Sequence, residues 1–347
     1  MEGINMKKGI FLVSIFFLLL AYCFAGHTPK GGLGHAAVSP DNKVLVVGGD
    51  NRVLYIMGPS SLEVKKRIWL KTGIYEMEFN KDGSILVVED TSEDLYFIKT
   101  QDWQVVKTIS NGGPMSAAPA ANLLAGFTSG FKSSMVNFYS MTDGTLKGKV
   151  TLPMKILSIG LNANGTRLVV MMAGPKDQEL KKQKPKELAG PEADLFNQKN
   201  DGKVSIISEF EVPSGKKLSE KTVFYSVNSP HILVGEQKTI ILDYSNINAV
   251  IEGDSIKLFK GKSSFNYGIG ISSDRKAFLL GGLRNGTLAQ VDGLVMTTFQ
   301  VDRLPGWPEY YKGFCFGPDK TGYAVTTAFR LIKISKTGVI EKAVPVY

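Results

Sequence analysis

The sequence predicts an all-β protein: a seven-bladed β-propeller, a ring of repeated four-stranded antiparallel blades. Three observations carry this. One tight-turn signature recurs 40 to 45 residues apart, each turn is flanked by short β-rich apolar runs, and no long amphipathic helix interrupts the pattern. The composition suits a large folded core, with 43% hydrophobic and 21% charged residues. It excludes disorder, which needs low hydrophobicity and high net charge.

The turn reads Ser39-Pro40-Asp41-Asn42, then Asn80-Lys81-Asp82-Gly83, then Asn162-Ala163-Asn164-Gly165. It returns as Ser272-Ser273-Asp274-Arg275 and Gly317-Pro318-Asp319-Lys320, with a related position at Asn122 and a weaker unit around Ser229-Pro230. Asp, Asn and Gly supply the backbone conformations of tight hairpins. Before each turn comes a short inner strand, such as Tyr75 to Phe79. After it comes a run rich in Val, Ile and Leu, such as Ile85 to Val88 or Leu168 to Met171. A third strand follows, as in Asp94 to Ile98, and a more polar fourth closes the unit, as in Gln104 to Ile109. Seven units share residues 26–347, about 46 residues each, which matches the ~40–50 residues of a four-stranded blade. Six or eight blades are the neighbouring alternatives.

Residues 1–25 read as a secretory signal. Lys7 and Lys8 form a positive start, Gly9 to Ala21 an apolar stretch, and Cys23-Phe24-Ala25 a small-residue cleavage site. Lipoprotein processing at Cys23 is disfavoured by the bulky Tyr22 before it. The mature chain is therefore expected in a bacterial periplasm or secreted, with no membrane span after cleavage. Cys315 is then the one cysteine left, too few for an intrachain disulfide, a cysteine zinc site or covalent haem attachment. The net charge of +9 falls to +8 with the loss of Glu2, Lys7 and Lys8. Such a charge favours an acidic protein partner or an anionic surface. Scattered lysines on an exported chain do not suggest nucleic acid.

With strands a to d running alternately up and down, a–b and c–d links share one face, and b–c and d–a links share the other. Two irregular segments fall on the second face. Residues 174–202, a charged insertion between strands b and c of blade 4, include Lys181 and Lys182 and read either as a solvated excursion or as a docking arm. Leu304 to Tyr311, the d–a link into blade 7, holds Trp307 between Pro305 and Pro308, with Tyr310 and Tyr311 just after. Aromatics in such a loop suit either a binding surface or inter-blade packing. Trp307, Tyr310, Tyr311, Arg284, Lys181 and Lys182 are the candidate partner or ligand face.

Catalytic signatures are sparse. Gly32 to Ala37 imitates a dinucleotide-binding fingerprint, but outside a βαβ unit it lacks the context that gives those glycines meaning. His27, His35 and His231 are the only imidazoles and read as structural. Glu76 and Glu78 alternate with Tyr75, Met77 and Phe79, so both carboxylates point to one face, toward a central channel. A metal-centred hydrolase would need more ligands on other inner strands, and Met115 to Ala118, Leu157 to Leu161 and Gly268 to Ile271 offer none. The pair otherwise reads as solvated or salt-bridged. No catalytic, cofactor-binding or metal residue is assigned.

Tyr267-Gly268-Ile269-Gly270-Ile271-Ser272 runs through Asp274 to Leu280-Gly281-Gly282, then Gly286-Thr287-Leu288-Ala289 and Asp292. With Gln300-Val301-Asp302, Leu304-Pro305-Gly306 and the insertion in blade 4, this resembles the YVTN/WD40-like propellers of exported bacterial quinoproteins. Among them it resembles most the β subunits of quinohemoprotein amine dehydrogenases. The architecture extends over most of the mature chain, and the local similarity is confined to about blade 6. The resemblance implies a subunit that binds no cofactor itself, walls the active site of a complex, and leaves haem and quinone to partner subunits. The expected role is thus a non-catalytic, protein-binding scaffold. The alternatives are a stand-alone propeller binding a small ligand or glycan, and a propeller hydrolase or lyase.

Overall fold

The computed structural model describes residues 31–130, 133–174, 205–223, 230–244, 248–253, 255–259, 267–283, 285–302, 304 and 309–346. They form seven four-stranded antiparallel sheets, each built from consecutive strands, with almost no helix. The predicted propeller and its seven blades are what the chain adopts. Blades 1 to 7 span residues 33–69, 74–109, 115–152, 156–223, 231–259, 268–300 and 311–345. Their inner a strands are Leu33–Val38, Ile74–Phe79, Met115–Ala118, Ile156–Leu161, His231–Val234, Gly268–Ile271 and Tyr311–Phe316.

Period-two alternation makes the blades stack. In Leu45–Gly49, strand b of blade 1, every residue is buried. Leu45 and Val47 project into the cluster shared with blade 7, and Val46 into the cluster shared with blade 2. In blade 4, Leu168, Val170 and Met172 face blade 3, while Val169 and Met171 face blade 5. A strand covered on both faces must be apolar at successive positions, because each parity serves a different interface. The fourth strands have no such cover on the rim. Val64–Trp69 exposes Lys65, Lys66 and Arg67, charges that deter edge-to-edge pairing.

The a–b turns repeat one hydrogen-bonding device. The first side chain turns back on the amides four and five residues ahead: Ser39 Oγ accepts from Lys43 and Val44, and Ser272 Oγ from Lys276 and Ala277. Asn162 Oδ1 likewise accepts from Thr166 and Arg167. The fourth residue is left-handed: Asn42, Gly83, Asn122 and Gly165 have φ between 55° and 74°. Arg275 and Lys320 hold the same conformation at φ 60° and 66°. There a β-carbon costs roughly 1–2 kcal/mol that glycine avoids.

Blades 7 and 1 close the ring without exchanging a strand. Their shared core includes Leu33, Leu45, Tyr323, Val325, Leu331 and Val346. Across the seam Lys312 meets Asp50 at 3.3 Å, Tyr323 Oη donates to Pro59 O at 3.3 Å, and Lys342 donates to Ser61 O at 3.0 Å. Backbones approach so closely that a β-carbon on Gly313 would lie 2.0 Å from Gly34 O. Leu331→Ala is expected to cost about 2–5 kcal/mol, as fully buried leucines do. Urea unfolding of the variant beside wild type measures this, and a loss below 1 kcal/mol would mean the seam is not a structural weak point.

Candidate functional site

Two features converge on the molecule's axis and on one of its faces. The first is the central channel. Glu76 and Glu78, two apart on the inner strand of blade 2, both line it, as the alternation requires. His35 from blade 1, Ser116 from blade 3, Ser158 from blade 4, His231 from blade 5 and Cys315 from blade 7 line the same cavity of about 190 Å³. A second space of about 860 Å³ opens among the a–b turns, and Arg275 and Glu78 border both.

The missed residue is Arg275. As a sequence position it is the last residue of a turn. In the structure its side chain crosses the channel from blade 6, where Nε donates to Leu161 O on blade 4 at 3.2 Å and Nη2 donates to Ala117 O on blade 3. Blades 3, 4 and 6 supply no carboxylate from their inner strands, as the sequence indicated, yet polar groups from every blade now meet. The sequence signal was the departure itself: Arg stands where four sister turns carry Asn or Gly.

Burial dominates the electrostatics of this channel. It raises the Glu76 carboxyl to about 8, with repulsion from Glu78 adding to the rise and Arg275 opposing it. Glu78 is raised to about 7 by burial, against the pull of Arg275 and of the Phe79 amide. Glu89, opposite Glu76 in the register and 1% exposed, is raised as well, first by burial and then by Glu76. Its Oε2 accepts from Met115 N at 2.8 Å and so ties blade 2 to blade 3. Burial lowers His35 to about 3, assisted by His231 and Lys312, and lowers His231 to about 4. Both imidazoles are therefore neutral acceptors or donors near neutral pH. Among the described residues no three His, Cys, Asp or Glu side chains are grouped to hold a metal ion.

The second feature is the face formed by the b–c and d–a links. Trp69 ends the outer strand of blade 1 there and is 70% exposed. Tyr244 lies on the same face at 46%, while Tyr75, 47% exposed near the start of the inner strand of blade 2, lines the channel beside His35. The ring of Tyr244, past strand b of blade 5, packs edge-on to Tyr267 at 4.9 Å, and Tyr267 packs on Tyr310 at 5.0 Å. Three links thus place three tyrosines in one row. Arg330 anchors the last of them. It donates from Nε to Glu309 Oε1 at 2.8 Å, pairs with Oε2 through Nη2, and donates to Asp302 O at 2.9 Å. Thr326 adds a bond to Glu309 at 2.7 Å. One guanidinium therefore holds both feet of the 303–308 link.

Of the candidate face residues, Tyr310 is partly buried, with its ring against Tyr267. Tyr311 is a correction: it is 1% exposed, with its ring against Phe299 and Phe314 in the core between blades 6 and 7. The local backbone explains this, because the register shifts between Tyr311 and Gly313 and the strand has already begun at Tyr311. Trp307, Arg284, Lys181 and Lys182 lie outside the described residues, as do the 1–25 segment and all of the 174–202 insertion except Gly174. The strands flanking that insertion are Arg167–Ala173 and Ser205–Glu211, the second and third of blade 4. Among the described residues no helix is long and apolar enough to cross a membrane.

The carboxyl shifts fix a pH dependence. A carboxyl raised on folding favours the folded state only while protonated, so stability falls as pH rises from the ordinary value near 4.5 through about 7 and 8. Glu76→Gln removes that penalty. The variant is expected to match wild type near pH 4.5 and to exceed it by about 1–3 kcal/mol at pH 8.5. Urea unfolding across this range measures it. A variant less stable than wild type at pH 8.5 would show instead that the structure holds Glu76 charged.

Compared with known proteins, the chain matches no protein-family model and no curated sequence. Among solved structures, a chain of Kuenenia stuttgartiensis hydrazine synthase superposes with a TM-score of 0.61 at 12% identity, covering 84% of this chain and 92% of that one. The likeness is one of fold. As 1622 solved chains match, it selects no activity.

Proposed function

We propose that this chain is an exported, non-catalytic scaffold that binds a protein partner through the face carrying the b–c and d–a links. In the finer form of this reading it is the β-type subunit of a periplasmic complex like quinohemoprotein amine dehydrogenase, with haem and quinone in the partner subunits. One observation carries the reading. Trp69 and Tyr244, two of the large aromatics most exposed among the described residues, share one face, and the Tyr244–Tyr267–Tyr310 row lies on it. Tyr and Trp dominate the energetics of protein interfaces because they bury large, rigid, amphipathic surfaces. Further support comes from the signal-like pattern of residues 1–25 and from the blade 6 motifs that resemble the quinoprotein propellers.

A second reading has an observation of its own. Polar side chains of several blades converge in the 190 Å³ cavity, which favours a small ligand or a hydrolytic site on the axis. The two readings separate experimentally, because one uses the aromatic face and the other uses Glu76, Glu78 and Arg275.

Isolation of the tagged native protein from its own periplasm, followed by mass spectrometry and a visible spectrum, tests the scaffold. Co-purifying subunits with a haem band are the expected result, and a colourless, partnerless chain would count against it. Trp69→Ala and Tyr244→Ala are each expected to weaken partner binding about tenfold or more. Lys81→Ala, on the opposite face, should leave it unchanged. Equal loss in all three would remove the aromatic face from the reading.

A further inference from the structure

Arg275 does something that neither ring closure nor a docking face requires. It adopts a left-handed backbone conformation that four sister turns give to Asn or Gly and one to Lys320, and its side chain spans the channel. Its hydrogen-bond acceptors there are two main-chain carbonyls, Leu161 O and Ala117 O, at the ends of the inner strands of blades 4 and 3. Yet three carboxyl groups face it: Glu76 and Glu78 from blade 2, and Asp274 from its own turn. Asp274 is engaged by Lys320 at 3.9 Å and by the Ser272 hydroxyl at 2.7 Å. The guanidinium lies between the two cavities and borders both.

We propose that Arg275 is a proton-sensitive bolt across the central channel, resting on the Ala117 and Leu161 carbonyls while Glu76 and Glu78 are protonated, and drawn to blade 2 when they ionise. The competition is between acceptors. A carboxylate accepts from a guanidinium roughly twice as strongly as a neutral carbonyl does. Two ionised carboxylates left unpaired in a confined channel are costly, and one cation between them relieves both. Each released proton passes to water in the channel.

The other titratable groups around the channel do not compete in this range. His35 from blade 1 and His231 from blade 5 are held neutral by burial, and burial keeps the Cys315 thiol of blade 7 protonated. Lys312, also on blade 7, is paired with Asp50. Blades 3 and 4 contribute hydroxyls, Ser116 and Ser158. Glu76 and Glu78 are thus the channel-lining carboxyls whose charge changes between pH 6 and 9. Glu89, opposite Glu76 and tied to Met115 N, is raised well above the ordinary carboxyl range by burial and by Glu76, so its charge depends on theirs. The inference is independent of the scaffold reading, because the bolt operates in the isolated chain.

The test is nuclear magnetic resonance of the full chain with labelled arginine, the Arg275 Nε–Hε signal being assigned by its disappearance in Arg275→Lys. Wild type should show a sigmoidal shift of that signal between pH 6 and 9, with the carbonyl carbons of Ala117 and Leu161 shifting in step. In Glu76→Gln/Glu78→Gln the three signals should keep their low-pH positions throughout. Should that double variant fail to fold, Glu78→Gln alone must reduce the amplitude. Signals that are flat across the range in wild type, or that titrate unchanged in the glutamine variants, would overturn the proposal.

Discussion

Ring closure by side-chain packing is the constraint on which the rest of the structure depends. Blades 7 and 1 are complete sheets of consecutive strands, so no shared strand fastens the first blade to the last. The seam holds because Leu33, Leu45, Tyr323 and Leu331 fill it and because Gly313 lets two backbones meet. The other six interfaces are built alike, each from alternate residues of two neighbouring blades. Their combined geometry sets how far apart the inner strands stand. That spacing fixes the channel width, and with it whether one arginine can reach across.

The two faces are chemically unequal for a reason rooted in the strands. On the a–b side, side-chain-capped turns satisfy their own amides within a few residues and leave little that can vary. Two of the b–c links have a capped turn of their own, in which Asp90 Oδ1 accepts from Ser92 and Asp94 and Thr326 Oγ1 from Ala328 and Arg330. Yet the links on this face differ in length, most of all between Ala173 and Ser205. Variation in loops on a rigid scaffold is where binding surfaces arise. The exposed Trp69 and Tyr244 follow that division, and Arg330 gives the Tyr310 end of the row a rigid footing through Glu309.

The channel is the place where local and global preferences disagree. A left-handed arginine, two neighbouring carboxyls raised by burial, and a cation resting on carbonyls are each unfavourable alone. They persist because seven packed interfaces over-determine the positions of the strands that carry them. Frustration of this kind, confined to the axis of an otherwise self-consistent repeat, is what a switchable element requires.

Much of the architecture was legible in the chain alone. Strand type, turn chemistry, the 40–45-residue spacing and the number of blades are local properties, written in period-two alternation and in Asp, Asn and Gly at fixed places. The direction of Glu76 and Glu78 followed from the same alternation. Tertiary structure decided what depends on the ring as a whole. Arg275 reaches Ala117, 158 positions away in sequence, because blades 6 and 3 face each other across the axis. Tyr311 enters the core because a register shift beside it fits its ring between Phe299 and Phe314. Tyr244, Tyr267 and Tyr310 come from three separate links, and only the stacking of blades 5, 6 and 7 sets them in a row. Sequence patterns report each residue's neighbours along the chain, whereas these contacts are fixed by the summed packing of blades that are distant in sequence.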